Sequence, residues 1–226
     1  MLDQLFAKFD HIIVLDVETT GLNHKTDEII EFGGLCLHAG GSGYKIDEEL
    51  NMLIRLTAGH RLSPFITNLT GITQKALDSQ GIDKKTACDK LIHLLDVSRP
   101  LVVSYNAQFD LCFLYYFLNM FKQAALLKKI KMLDALTVYR DRQDYPHKLA
   151  NAIDVYDLKT QNTHRAIDDA QAALELIIAM DKEYADLDRY INLFGINAKY
   201  GISGPRISSI TYKPQGFSHE KKLYEK

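Results

Sequence analysis

An apolar run that ends in two acids constrains this chain more than any other feature. His11-Ile-Ile-Val-Leu reads as a buried strand, and it runs straight into Asp16-Val-Glu18. Alternate residues of a strand point to the same face, so Asp16 and Glu18 present their carboxylates side by side. Two anions that close raise each other's pKa unless a cation lies between them. A hard divalent ion with oxygen ligands, Mg²⁺ or Mn²⁺, suits such a pair.

Two further segments place acids where apolar residues belong. In Asn106-Ala-Gln-Phe-Asp110 and the helix it opens, Phe113, Leu114, Phe117 and Phe121 form one apolar face, and Asp110 falls at its centre. An unpaired carboxylate there is costly, so a cation or a hydrogen-bonding partner must meet it. In His164-Arg-Ala-Ile-Asp-Asp169, the apolar face is set by Ala166, Ala170, Ala173, Ile177 and Met180. Asp169 sits on the flank of that face. Asp168 points away, with Gln171, Glu175 and Lys182. Asp169 is therefore the candidate ligand, and His164, just before the helix, can reach the same site. Four inward acids and one histidine from three elements make a site for two metal ions and a general base.

The rest of the chain reads as an α/β domain with a mixed sheet. After the first strand, β-rich runs over 28–37 and 50–56 predict a hairpin around a turn at 40–43. Ser63-Pro64 opens a short helix, with proline in its first turn. Helical spacing follows over 84–96, then a strand over 101–104, the helix over 106–121 and a strand over 130–133. Further helices are predicted over 135–140, 149–155 and 165–182. Residues 1–183 form the predicted catalytic domain and 184–226 a C-terminal extension. Within the extension, 184–194 has the pattern of a helix and 207–212 that of a strand. The basic residues there (Lys199, Arg206, Lys213, Lys221, Lys222, Lys226) track phosphates or are an ordinary solvated terminus.

These motifs resemble those of the DEDDh, or DnaQ-like, 3′→5′ exonucleases, the family of the proofreading subunit of bacterial DNA polymerase III, ribonuclease T and oligoribonuclease. Asp16-Val-Glu-Thr-Thr-Gly-Leu22, Asn106-Ala-Gln-Phe-Asp110 and His164-Arg-Ala-Ile-Asp-Asp169 match its three motifs in order. Leu69-Thr-Gly-Ile-Thr73 looks like a segment of the polymerase-associated members. The resemblance implies an RNase H-like fold with a five-stranded mixed sheet flanked by helices. It implies two divalent ions, with Asp16 bridging both, Glu18 and Asp169 completing the ligation, and Asp110 holding the second ion partly through water. His164 is the implied general base. The backbone of Thr19, Thr20 and Gly21 meets the terminal nucleotide, Leu22 packs against its base, and Asn106 and Phe109 complete the substrate-binding set. Many members carry histidine where this chain has Tyr105. That departure leaves the ligand set intact and bears on contacts near the substrate.

The implied reaction is removal of nucleoside 5′-monophosphates from a nucleic-acid 3′ end, with DNA preferred over RNA. The alternatives are an exoribonuclease, because both polymers present the same scissile phosphate, and a non-catalytic module that binds a polymerase or clamp. Ile191-Asn-Leu-Phe194 resembles a short clamp-binding peptide and equally suits a helix packed on its own domain. The net charge of −2 gives no global attraction to nucleic acid, so positive charge has to be local or come from metal ions. Three cysteines with no zinc-site spacing point to a reduced, cytoplasmic protein. The N-terminus lacks the pattern of a secretory signal, and no apolar run is long enough to span a bilayer.

Overall fold

The computed structural model describes residues 1–41, 43–216 and 220–226. A short helix, α1 (Asp3–Phe6), precedes strand β1 (His11–Thr19), which feeds β2 (Ile29–Gly40) and β3 (Gly43–Leu53). Helices α2 (Pro64–Thr70), α3 (Gln74–Gln80) and α4 (Lys84–Leu95) lead to β4 (Pro100–Ser104). Helix α5 (Ala107–Met120), β5 (Lys131–Asp134), α6 (Ala135–Arg140), α7 (Leu149–Val155) and α8 (Ala166–Glu183) follow. The chain then forms β6 (Leu193–Ile196) and β7 (Thr211–Pro214).

The main sheet has the order β3-β2-β1-β4-β5. Strands β1, β2 and β3 pair antiparallel, while β1, β4 and β5 run parallel. It is the expected five-stranded mixed sheet, with β1 at its centre. Alternation along β1 divides the core. Ile12 and Val14 pack with Ala173, Leu176 and Ile177 of α8 on one face. Ile13, Leu15 and Val17 pack with Leu91 of α4 and Phe113 of α5 on the other. By the same alternation, Asp16 and Glu18 belong to the α8 face.

Several predicted boundaries differ. Strand β3 begins at Gly43, not near 50, because its first half carries exposed Asp47 and Glu49 and half-buried Glu48 on a sheet edge, which hides the apolar pattern. Part of the turn predicted at 40–43 lies outside the described residues. The Leu69–Thr73 segment is a helix-to-helix joint. Gly71 ends α2 at φ 71°, and the Thr73 side chain caps α3 through Ala76 N–H.

The helix predicted over 184–194 does not form. A 3-10 turn, Leu187–Tyr190, leads into β6, and Asn192 between them adopts φ 58°. Asn192 is held there by pairing with Met132: its N–H donates to Met132 O at 2.7 Å, and its Oδ1 accepts from Met132 N–H at 2.8 Å. The strand predicted over 207–212 is displaced to β7, because 207–210 closes a turn through Ile210 N–H and Ile207 O. The segment beyond 183 is built into the core: Leu187, Tyr190, Leu193 and Leu223 join the α8-side cluster, and Phe194 and Ile210 the other. Leu193 and Phe194 are 6% and 2% exposed, so neither is offered as a clamp-binding peptide.

Candidate active site

The end of β1 and the start of α8 bring three of the predicted donors together, while Asp16 and Asp110 lie outside this closest group. Glu18, His164 and Asp169 each offer a ligand atom, and these atoms lie within 4.8 Å of one another. Asp169 is 6% exposed, and its Oδ2 accepts from Asn162 Nδ2 at 2.8 Å. Its Oδ1 is buried with no hydrogen-bond partner among the described residues. A buried carboxylate oxygen without a donor is costly unless a cation takes its lone pair. Asp168 is turned aside, accepting from Thr163 Oγ1 at 2.6 Å.

Asp110 reaches the same strand from the opposite helix layer. It lies in the first turn of α5, is 2% exposed, and accepts from Val17 N–H at 3.2 Å. The start of α5 is fixed by Asn106 at φ 69° and by Asp134, whose Oδ1 accepts from the N–H groups of Asn106 and Ala107 at 3.0 and 3.1 Å. Asp134 also caps α6 through Leu136 and Thr137 N–H. An aspartate directly ahead of an apolar helical run was the available signal for it.

The acids disturb one another as the sequence predicts. Burial pushes Asp16 well up, and the charges of Asp110, Asp169 and Glu18 add to it. Burial raises Glu18 to about 8, with Asp169, Glu31 and Asp110 contributing and Arg165 opposing. Asp169 is raised to about 6 by burial, against the pull of His164 and Asn162. Asp110 is raised by burial. Clustered, desolvated carboxylates with an orphaned oxygen among them are a donor set that fits a hard divalent cation.

The expected substrate-side residues form a braced loop next to these acids. Thr19 Oγ1 donates to Gly21 O at 2.6 Å. Thr20 N–H donates to Glu28 O at 2.9 Å, and its hydroxyl to Asp27 at 3.2 Å. Gly21 leaves room for Asp27, whose Oδ2 would lie 2.5 Å from any Cβ there. Glu28 closes the loop, accepting from Thr57, His60 and Lys84. Leu22 stands at the loop's tip, 85% exposed. Phe109 lies against Phe113 with ring centroids 4.8 Å apart. Tyr105 turns its hydroxyl to His147 O at 3.0 Å and packs against the core.

Glu31 and Arg165 escaped the sequence reading. Glu31 is 0% exposed and lies opposite Glu18 in the β1–β2 register. Arg165 donates to both its oxygens, and Ala166 N–H donates to Oε2 at 2.9 Å. Two residues along β2, Gly33 pairs with Asp16, and a Cβ there would stand 2.3 Å from the backbone of Ala166 and Ile167. The one acid in the apolar run Ile29-Ile-Glu-Phe was the signal that could have found Glu31.

Comparisons with known proteins bear on the family and the fold. The pattern of the family described as Exonuclease matches residues 13–177. The PolC-type DNA polymerase III of Caldanaerobacter subterraneus is 30% identical over 173 residues, 74% of this chain. The chain spans only 11% of that relative's length. The DNA polymerase III subunit epsilon of Treponema pallidum is 28% identical, over 81% of this chain and 83% of its own length. Among solved structures, the zinc-bound complex of E. coli exonuclease I with single-stranded DNA superposes with a TM-score of 0.71 at 17% identity. That match covers 80% of this chain and 42% of the other. With the Exonuclease pattern covering most of its length and the acids and histidine gathered as described, the chain belongs to the DnaQ-like 3′→5′ exonuclease family.

Proposed function

We propose that this exonuclease hydrolyses the terminal phosphodiester of DNA at single-stranded or frayed 3′ ends, releasing nucleoside 5′-monophosphates, in the setting of polymerase proofreading. The observation that carries this is the meeting of Glu18, His164 and Asp169 within 4.8 Å, with Asp169 Oδ1 buried and unpaired. Asp16, Glu18, Asp110 and Asp169 would hold two divalent ions, Mg²⁺ or Mn²⁺. When bound, such ions lower the pKa of water and offset charge on the phosphate.

The protein's own groups do the rest. His164, at the rim of the acids, accepts the proton of the attacking water. The backbone of Thr20 and Gly21 meets the terminal nucleotide. The exposed Leu22 packs against its base, with Phe109 and Asn106 on the α5 side. Glu28, fastened to Thr57, His60 and Lys84, keeps that loop in place while the strand is engaged.

The DNA preference draws on the names of the relatives, a DNA polymerase and its epsilon subunit, and on the single-stranded DNA in the exonuclease I complex. A DNA polymerase subunit is accordingly the proposed partner and the cytoplasm the proposed location. Among the described residues no helix is long and apolar enough to cross a membrane.

The test is a time course on matched DNA and RNA oligonucleotides labelled at the 5′ end, with Mg²⁺, Mn²⁺ or EDTA. A metal-dependent ladder shortening from the 3′ end, faster on DNA, is expected. A faster RNA ladder would move the protein to the exoribonucleases. Intact substrates under every metal would leave the accessory-module reading.

A further inference from the structure

The start of helix α8 places two of the five proposed catalytic and metal-holding residues, His164 just ahead of it and Asp169 in its first turn, yet the helix begins without a side-chain cap of its own. Its N-cap residue is Arg165, which makes no capping bond, and His164 before it adopts φ 55°. Free N–H groups at a helix start need acceptors. Here the acceptor comes from a strand 135 residues earlier in the chain: Glu31 Oε2 takes Ala166 N–H at 2.9 Å. The same carboxylate accepts the Arg165 guanidinium in a forked pair, through Nε to both oxygens at 3.0 and 3.1 Å and through Nη2 to Oε1. Residues 165 and 166 are thus fastened to one buried side chain on β2.

That side chain is placed to act as a ruler. Glu31 is the cross-strand partner of Glu18, and Gly33 that of Asp16. At Gly33 the start of α8 rests on bare backbone. The strand that pairs with both β1 acids therefore also grips the first turn of α8. From Arg165 the geometry passes in one helical turn to Asp169, whose N–H donates to Arg165 O at 3.0 Å. A fork of this kind fixes orientation as well as distance.

We propose that Glu31 is a positioning residue: through Arg165 and Ala166 N–H it sets the spacing between the β1 acids and the His164–Asp169 pair. The proposal rests on the exonuclease reading of that site, and its test keeps the two apart. Glu31→Gln keeps the side chain's size and one acceptor but loses the charge that holds the fork. Glu31→Met with Arg165→Met replaces the pair, buried at Glu31 and partly exposed at Arg165, by apolar groups, so that the buried charge is removed together with its partner. Three quantities are read on the full chain: melting temperature, Mn²⁺ affinity by titration calorimetry, and kcat and KM on a DNA oligonucleotide.

For Glu31→Gln we expect kcat to fall at least tenfold with KM within twofold of wild type, and Mn²⁺ to bind at least tenfold more weakly. The double variant loses the buried charge but leaves Ala166 N–H without its acceptor, so its melting temperature recovers only in part, and neither kcat nor Mn²⁺ affinity recovers. Wild-type Mn²⁺ affinity and turnover in the folded double variant would overturn the proposal. So would a Glu31→Gln protein altered only in melting temperature. If the wild type cleaves nothing, the exonuclease reading falls, and the Mn²⁺ and melting measurements still decide the role of Glu31.

Discussion

Asp110 accepts a hydrogen bond from Val17 N–H at 3.2 Å, so the acid of α5 is tied to the strand residue that separates Asp16 from Glu18. The bond needs an acceptor oxygen, not a charge. Asp110→Asn should keep it and keep the fold, with a melting temperature within a few degrees of wild type. Turnover should fall by about 10²-fold or more, because the lost charge is the one offered to a metal ion. Thermal melting and single-turnover hydrolysis check this. Full activity would remove Asp110 from the ligand set.

Metal removal should make stability fall as pH rises. Glu18 goes from 4.5 in the unfolded chain to about 8 in the fold, raised first by burial. Below pH 4.5 both states hold the proton. Between 4.5 and about 8 the folded state binds more protons than the unfolded one, so folding loses stability through that window. Asp169 adds to the loss between 3.8 and about 6. The melting temperature in EDTA should therefore drop by several degrees toward pH 8, and Mg²⁺ or Mn²⁺ should restore it most at that end. A flat profile would contradict the clustered acids.

His164→Ala should lower kcat by about 10²-fold or more while leaving Mn²⁺ affinity within a few-fold of wild type. The two readouts separate a base from a ligand. His164 stands close enough to Glu18 and Asp169 to be either, and a collapse of Mn²⁺ binding would make it a ligand. Wild-type turnover would remove it from the mechanism.

A chain ending at Glu183 should not fold. It would lack Leu187, Tyr190 and Leu223, each 0% exposed, together with Leu193, Phe194 and Ile210. Burying a large apolar side chain contributes about 1.5–3 kcal/mol, and six of them together are as large as the usual stability margin of about 5–15 kcal/mol. Polar anchors would go too: Tyr190 Oη donates to Asp141 at 2.7 Å, and Leu223 N–H donates to the same carboxylate at 2.6 Å. Soluble, cooperatively melting truncated protein would show that the last segment is dispensable.

What was legible in the sequence was local. Periodicity two put Asp16 and Glu18 on one face of a strand, and periodicity 3.6 separated buried Asp169 from its neighbour Asp168. Asp110 stood out because its helix is otherwise apolar on that side. Glu31 did not, because its partners lie 134 and 135 residues away and no local rhythm connects them. The segment 184–194 misled for a related reason. Its apolar spacing suits a helix, but pairing between Asn192 and Met132 draws it out along the edge strand. Long-range backbone pairing overrides a weak local preference.

Gly33 bears on how such a protein can vary. Most contacts in a core are between side chains, and a larger residue on one side can be answered by a smaller one on the other. Where α8 crosses β2, main chain lies on main chain, and there is nothing to trade. The nearest approach of α8 to the β1 acids is thus limited by the backbone itself, beside the side-chain grip of Glu31. Drift at core positions that touch neither this crossing nor Glu31 can proceed without detuning it, whereas adding one methyl group at position 33 would push the two backbones apart.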